Sequence, residues 1–239
     1  GGDKGLPYLG LPKEENPFLG LRAVRISLKY KEMFKTQLKA LFCAGSFGDL
    51  RVMLPMISSC EELDACLEIV DEAKEELKSG GEEFRSAIPI GIMIEVPAAA
   101  IIADKLARKA DFFSIGTNDL TQYIVAADRG NAEVAELFTA YHPAVLRMIH
   151  TTIKEAEVNG ISCSMCGEAA GDANLIPFLI GAGLNGFSIT PSEILGTRRL
   201  ISKLSYAQCK SLADEALDCC SATQVKSLLN KFKEENDEK

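Results

Sequence analysis

Three short stretches of the sequence end where chemistry could begin. "GIMIE" stops at Glu95, "FFSIGTND" runs into Asn118 and Asp119, and "ISCSMCGE" closes on Cys166, Gly167 and Glu168. Each is an apolar run that reads as a buried strand and then turns polar. Two carboxylates on neighbouring strand ends, Glu95 and Asp119, suit a hard divalent cation. Mg²⁺ takes one or two carboxylates and fills its remaining positions with water and substrate oxygens. Asn118 would offer an amide N–H to an oxyanion beside such a metal. Arg129, in "DRGN", and Arg22, in "LGLRAVR", carry the planar guanidinium that holds phosphate or carboxylate in pairs of hydrogen bonds. Cys166, beside a glycine, is a candidate acid–base group or nucleophile where nearby charge tunes its pKa.

The residues alone leave plainer readings open. A strand-end carboxylate also caps a helix or pairs with Lys or Arg, an Asn at a loop start forms turns, and most arginines are simply solvated. Cys166 could be one more buried structural thiol among eight cysteines. Cys163 and Cys166 form a C-x-x-C, but there is no second pair, and His142 and His150 lack metal-ligand spacing to those thiols.

These groups need elements to carry them. Strands are predicted at 50–54, 88–95, 111–116, 161–166 and 186–190, as continuous apolar runs that suit a parallel sheet covered by helices. Between them, Cys60, Leu63, Leu67, Val70, Ala73 and Leu77 recur at helical spacing. Pro97 opens a helix over 98–109, and His142–Pro143 precedes another running to about Asn159. Asn16–Pro17 signals a helix over 18–30, with Leu21, Val24 and Leu28 on one side and Arg22, Arg25 and Lys29 on the other. His150 is expected at the surface. Beyond residue 190 the pattern is helical, with an acidic, frayed tail.

Strand–helix alternation implies an α/β fold, either a barrel or an open doubly wound sheet. The absence of a dinucleotide glycine fingerprint favours a (β/α)8 barrel, incomplete here with about five of the eight strands. The missing strands are expected before Gly1. The chain starts Gly-Gly-Asp-Lys, without an initiator Met or a signal peptide, and reads as a piece of something longer. It is expected to be a single partial barrel domain over 1–239. That domain has an opening segment at 1–49, strand–helix repeats at 50–190 and C-terminal helices at 191–239.

The net charge of −8 disfavours nucleic acid and anionic membranes as main partners. The longest apolar run, residues 91–103, is broken by Glu95 and Pro97 and is too short to span a bilayer. The cysteines sit in helix and strand patterns, as unpaired thiols of a reducing cytoplasm do.

Five motifs in order carry a resemblance. "GGDKGLPYLGLPKEENPFLGLRAVRISL", "LRVMLPMIS", "IGIMIEVPAAA", "DFFSIGTNDLTQYIVAADRGN" and "MCGEAAGD" resemble the Enzyme I family of the bacterial phosphotransferase system, among the wider phosphoenolpyruvate (PEP)-utilising enzymes. The resemblance implies a PEP-binding barrel in which Arg22 grips the substrate phosphate and Glu95 and Asp119 hold Mg²⁺. It implies that Asn118 and Arg129 contact phosphate and carboxylate, and that Cys166 protonates carbon 3 of the enolate. It implies a cytoplasmic homodimer that passes phosphate to a histidine on an N-terminal domain absent from this chain. From there the phosphate goes to a histidine-containing phosphocarrier protein for sugar uptake. The fragment alone is expected to be inactive. Pyruvate phosphate dikinase or PEP synthase domains, a metal-dependent lyase acting on pyruvate enolate, and a non-catalytic dimerisation or regulatory module stand as alternatives.

Overall fold

A computed structural model describes Gly10 and residues 13–237. The first part of the opening motif, residues 1–9 with 11 and 12, lies outside the described residues, as do 238 and 239. The chain forms two compact units, Gly1–Gly91 and Ile92–Lys239.

In the first unit, α1 (Val24–Lys29) and α2 (Lys31–Ala44) precede β1 (Val52–Leu54) and α3 (Cys60–Ser79). The Ser59 hydroxyl accepts the Glu62 N–H at 3.2 Å to start α3, and Glu62 accepts the Ser58 N–H in return. This reciprocal bonding satisfies donors that a helix start leaves open. Leu63, Cys66, Ile69, Val70, Ala73 and Leu77 form the buried stripe of α3, while Leu67 and Cys60 are only half-buried. Lys35 of α2 reaches Glu76 at 2.6 Å and Glu72 at 3.6 Å across to α3.

The helix expected over 18–30 is confined to α1, because local bonds shape the approach to it. The Leu21 N–H donates to the Glu14 carboxylate at 2.9 Å, and Arg25 Nη1 donates to the carbonyls of Leu19 and Gly20. Ala23 then takes a left-handed φ of 50° immediately before α1.

β2 (Ile90–Ile94) begins in the first unit and ends in the second. The second unit adds β3 (Phe112–Gly116), β4 (Ser162–Cys166) and β5 (Gly186–Phe187), giving a five-stranded sheet in the order β1-β2-β3-β4-β5. β2–β3, β3–β4 and β4–β5 pair in parallel. Within the first unit, the Val52 N–H donates to Pro89 O at 3.0 Å. All five predicted strands are present, each trimmed at one or both ends. Sequential parallel strands with helical crossovers match the expected α/β fold, five strands of a barrel that needs eight.

The crossovers are α4 (Pro97–Ile101) and α5 (Ala103–Leu106), then α6 (Thr117–Val125), α7 (Pro143–Val158) and α8 (Ile176–Gly181). The expected continuous helix at 98–109 is interrupted at Ile102, next to Ile101, two β-branched residues that fit a helix less well. α9 (Ile194–Ile201), α10 (Tyr206–Asp218) and α11 (Ala222–Asp237) complete the chain, and helix continues to Asp237 where a frayed tail is expected. One face of the sheet buries Ile92, Ile94, Phe113, Ile115, Cys163 and Met165. Each of the Ile, Phe and Met side chains among them contributes about 1.5–3 kcal/mol on leaving water. Among the described residues, no helix is long and apolar enough to cross a membrane.

Candidate functional site

The register of the sheet assembles the site. Ile94 pairs with Ile115, which brings Glu95 level with Gly116, and Gly116 pairs with Cys166. Strand side chains alternate between faces, so Met93, Glu95, Ser114, Gly116, Ser164 and Cys166 share the face opposite the apolar one. Glu95, Gly116 and Cys166 therefore form a row across the tips of three adjacent strands. Glycine at the centre keeps the row open. A Cβ at Gly116 would lie 2.9 Å from Glu95 Oε2 and 2.8 Å from Met93 Sδ.

α6 follows β3 without a loop. Asn118 and Asp119 thus stand in the first turn of a helix, where free N–H groups and the helix dipole favour a carboxylate. Asp119 is 9% exposed and Glu95 4%. Arg129, past the end of α6, places Nη1 3.5 Å from Asp119 Oδ1, and its N–H donates to Gln122 Oε1 at 3.1 Å. Asn118 Oδ1 accepts the Glu168 N–H at 3.3 Å, which leaves the Asn118 amide N–H₂ as a donor. Gly167, at φ 91°, allows this approach: a Cβ there would lie 2.6 Å from Thr117 Oγ1 and 3.1 Å from Asn118 Oδ1.

Cys166 is held on three sides. Ser114 Oγ donates to its sulfur at 3.7 Å, its S–H donates to Ile115 O at 3.6 Å, and Thr117 Oγ1 donates to its carbonyl at 3.1 Å. Burial pushes the thiol pKa up, the Ser114 hydrogen bond pulls it down, and the Glu95 charge pushes it up again. The net shift is upward, with burial the largest cause.

Five sequence-predicted residues, Glu95, Asn118, Asp119, Arg129 and Cys166, thus belong to the second unit. Arg22 belongs to the first. It lies in the segment before α1 rather than on the polar side of a helix, is 7% exposed, and stacks 5.5 Å over the Phe18 ring. The C-x-x-C is no dithiol, because strand alternation sends Cys163 to the apolar face, where burial pushes its pKa up to about 12. His142 caps α7 by accepting the Ala144 N–H at Nδ1, and His150 is half-buried rather than at the surface. Sequence reasoning gave no role to Ser114, Gly116, Thr117 or Gly167. A lone hydroxyl inside "FFSIG" was the available signal.

The chemistry of the donors limits what this arrangement can hold. Among the described residues, no group of three or more His, Cys, Asp or Glu side chains gathers for a metal. A closed structural zinc site is therefore not formed by them. Two carboxylates instead suit a hard cation that brings its own waters.

The family profile described as "PEP-utilising enzyme, PEP-binding domain" matches residues 1–206. This chain belongs to the PEP-utilising enzyme family. It is 47% identical over 232 residues to a phosphoenolpyruvate-protein phosphotransferase of Listeria monocytogenes, covering 97% of this chain and 41% of that protein. Proteins of the same name from Streptococcus equinus (49% over 226 residues, 94% of this chain and 39% of that protein) and Bacillus subtilis (47% over 225, 94% and 40%) are similar. The chain spans about two fifths of the length of these relatives. Among solved structures, a citrate lyase from Burkholderia xenovorans LB400 has a TM-score of 0.52 at 14% identity, covering 83% of this chain and 68% of that one. That likeness is one of fold alone.

Proposed function

We propose that residues 1–239 are the PEP- and Mg²⁺-binding barrel domain of a PEP–protein phosphotransferase, a cytoplasmic homodimer. Its substrate phosphate passes to a histidine outside this chain and then to a histidine-containing phosphocarrier protein. The observation that carries this reading is the row of Glu95, Gly116 and Cys166, flanked by Asn118, Asp119 and Arg129, in a chain 47% identical to proteins of that name.

Asn118 and Arg129 would hold the substrate's phosphate and carboxylate, with Arg22 as a further phosphate contact. Phosphoryl transfer asks a protein for positioning and charge neutralisation more than for covalent help. Glu95 and Asp119 fit a metal by their oxygen donors and by the cradle that a Cβ at Gly116 would fill. Mg²⁺ held there would stabilise negative charge on the enolate oxygen as the phosphoryl group departs. Cys166 then gives its proton to carbon 3: the S–H bond breaks, a C–H bond forms, and the electron pair stays on sulfur. Pyruvate results. Arg129, with Nη1 3.5 Å from Asp119 Oδ1, would keep that carboxylate oriented.

The test uses the full-length protein. Cys166→Ala is expected to cut carrier phosphorylation by about 100-fold or more, the usual scale for a general acid. PEP binding by calorimetry should persist. Normal turnover in that variant would assign the proton to another group. Glu95→Ala and Asp119→Asn should each abolish the Mg²⁺ dependence of PEP binding, and an unchanged metal titration would reject them as ligands.

A further inference from the structure

Ser114 has no part in the chemistry above, yet it is an odd residue to find where it is. It sits mid-strand in β3 between Phe113 and Ile115 and is 5% exposed. A buried hydroxyl is costly unless it is hydrogen-bonded. Its partner is the Cys166 sulfur, 3.7 Å away on the adjacent strand. We propose that Ser114 positions the Cys166 thiol for proton delivery and carries part of the charge left on sulfur afterwards. This rests on Cys166 being the proton donor.

The geometry separates the two ends of the thiol. The S–H points to the Ile115 carbonyl, and the Ser114 O–H points to a sulfur lone pair. When the S–H turns to carbon 3 and its proton leaves, the Ser114 O–H already donates to the sulfur that becomes anionic. The contact then becomes a hydrogen bond to an anion, which is stronger than one between neutral groups. No group has to move at that moment, which is the advantage of a preorganised donor. Thr117 Oγ1 on the Cys166 carbonyl keeps the backbone of the strand tip in place. Glu95 on the far side of Gly116 disfavours charge on sulfur, so one compensating donor has a clear purpose.

The experiment compares Ser114→Ala and Ser114→Thr in the full-length protein. Alkylation of Cys166 by iodoacetamide, followed by peptide mass spectrometry across a pH series, reads the coupling without any substrate. Ser114→Ala should move the profile to higher pH and slow alkylation at fixed pH, while Ser114→Thr, which keeps the hydroxyl, should stay with the parent. Exchange of pyruvate methyl protons for solvent deuterium reads the proton transfer. It should fall about tenfold or more in Ser114→Ala, the scale of one lost bond to a charged group. PEP affinity should stay within about twofold, and Ser114→Thr should recover the exchange. Parental behaviour of Ser114→Ala in both measurements overturns the proposal. So does a loss of exchange with an unmoved alkylation profile, which marks a packing role. If Cys166→Ala still exchanges normally, the proton-donor reading fails by itself, and the alkylation profile alone decides whether Ser114 tunes the thiol.

Discussion

At the scale of single residues, two glycines set how closely polar groups approach at the strand tips. Gly167 adopts a left-handed φ of 91°, and Gly116 lets Glu95 and Met93 lie closer than any side chain there would allow. The second case gives a sharp prediction. In Gly116→Ala the new methyl would sit 2.9 Å from both Cβ and Oε2 of Glu95 and 2.8 Å from Met93 Sδ. Met93 is flexible and half-exposed and can yield. Glu95 is buried and its Cβ is among the clashing atoms, so its backbone must shift and carry the carboxylate from the position proposed for the metal. Mg²⁺ affinity, read from the metal dependence of PEP binding, should fall about tenfold or more, the usual cost of disturbing a ligand's support. A variant that folds and binds Mg²⁺ as the parent does would sink the cradle argument. Cys163 shows the same logic from the other side: it resembles a partner of Cys166 in the sequence, but a strand's period of two sends it away.

At the scale of elements, strands were more legible than helices. Apolar runs bounded by polar tips located all five, because burial on both faces suppresses polar residues along β2 and β3. β4 was the exception, with Ser162, Ser164 and Cys166 alternating against buried Cys163 and Met165. Glu95, Asp119 and Cys166 were readable as strand-end groups. What put them together was the register, which no single strand encodes. Helix limits were less legible because side chains reaching over several residues set them, as Glu14 and Arg25 do before α1. α6 was hidden by its own chemistry, since Thr-Asn-Asp after a glycine also reads as a loop. The α2–α3 pair carries an element-scale prediction. Hydrogen bonds from Lys35 and then Lys39 draw the Glu76 carboxyl down to about 2 from its ordinary 4.5. A folded pKa below the unfolded one gives stability that is complete above 4.5 and is lost as pH falls toward about 2. Acid titration followed by circular dichroism should show part of the helical signal lost in that window. Glu76→Gln should flatten that part, and an identical acid transition in the variant would show that these ion pairs do not matter to it.

At the scale of the whole molecule, the question is where phosphate can go. The chain has a net charge of −8 and a proposed anionic substrate, so recognition depends on locally placed cations rather than on its overall field. In the proposed reading the phosphoryl acceptor is a histidine nitrogen, and the chain has two histidines. The Nδ1 of His142 already accepts the Ala144 N–H as the cap of α7. His150 lies within that helix, its pKa lowered by burial and then by the charges of Lys210 and Lys154. Neither is the last link of an arrangement like the one holding Cys166. Incubated with radiolabelled PEP and Mg²⁺, this 239-residue chain should therefore form no acid-labile phosphohistidine. Adding the separate phosphocarrier protein should not change that, because direct transfer from PEP would bypass the intermediate histidine. Covalent label on His142 or His150, lost on their replacement by Gln, would overturn the proposed division of labour, in which the acceptor histidine lies outside this chain.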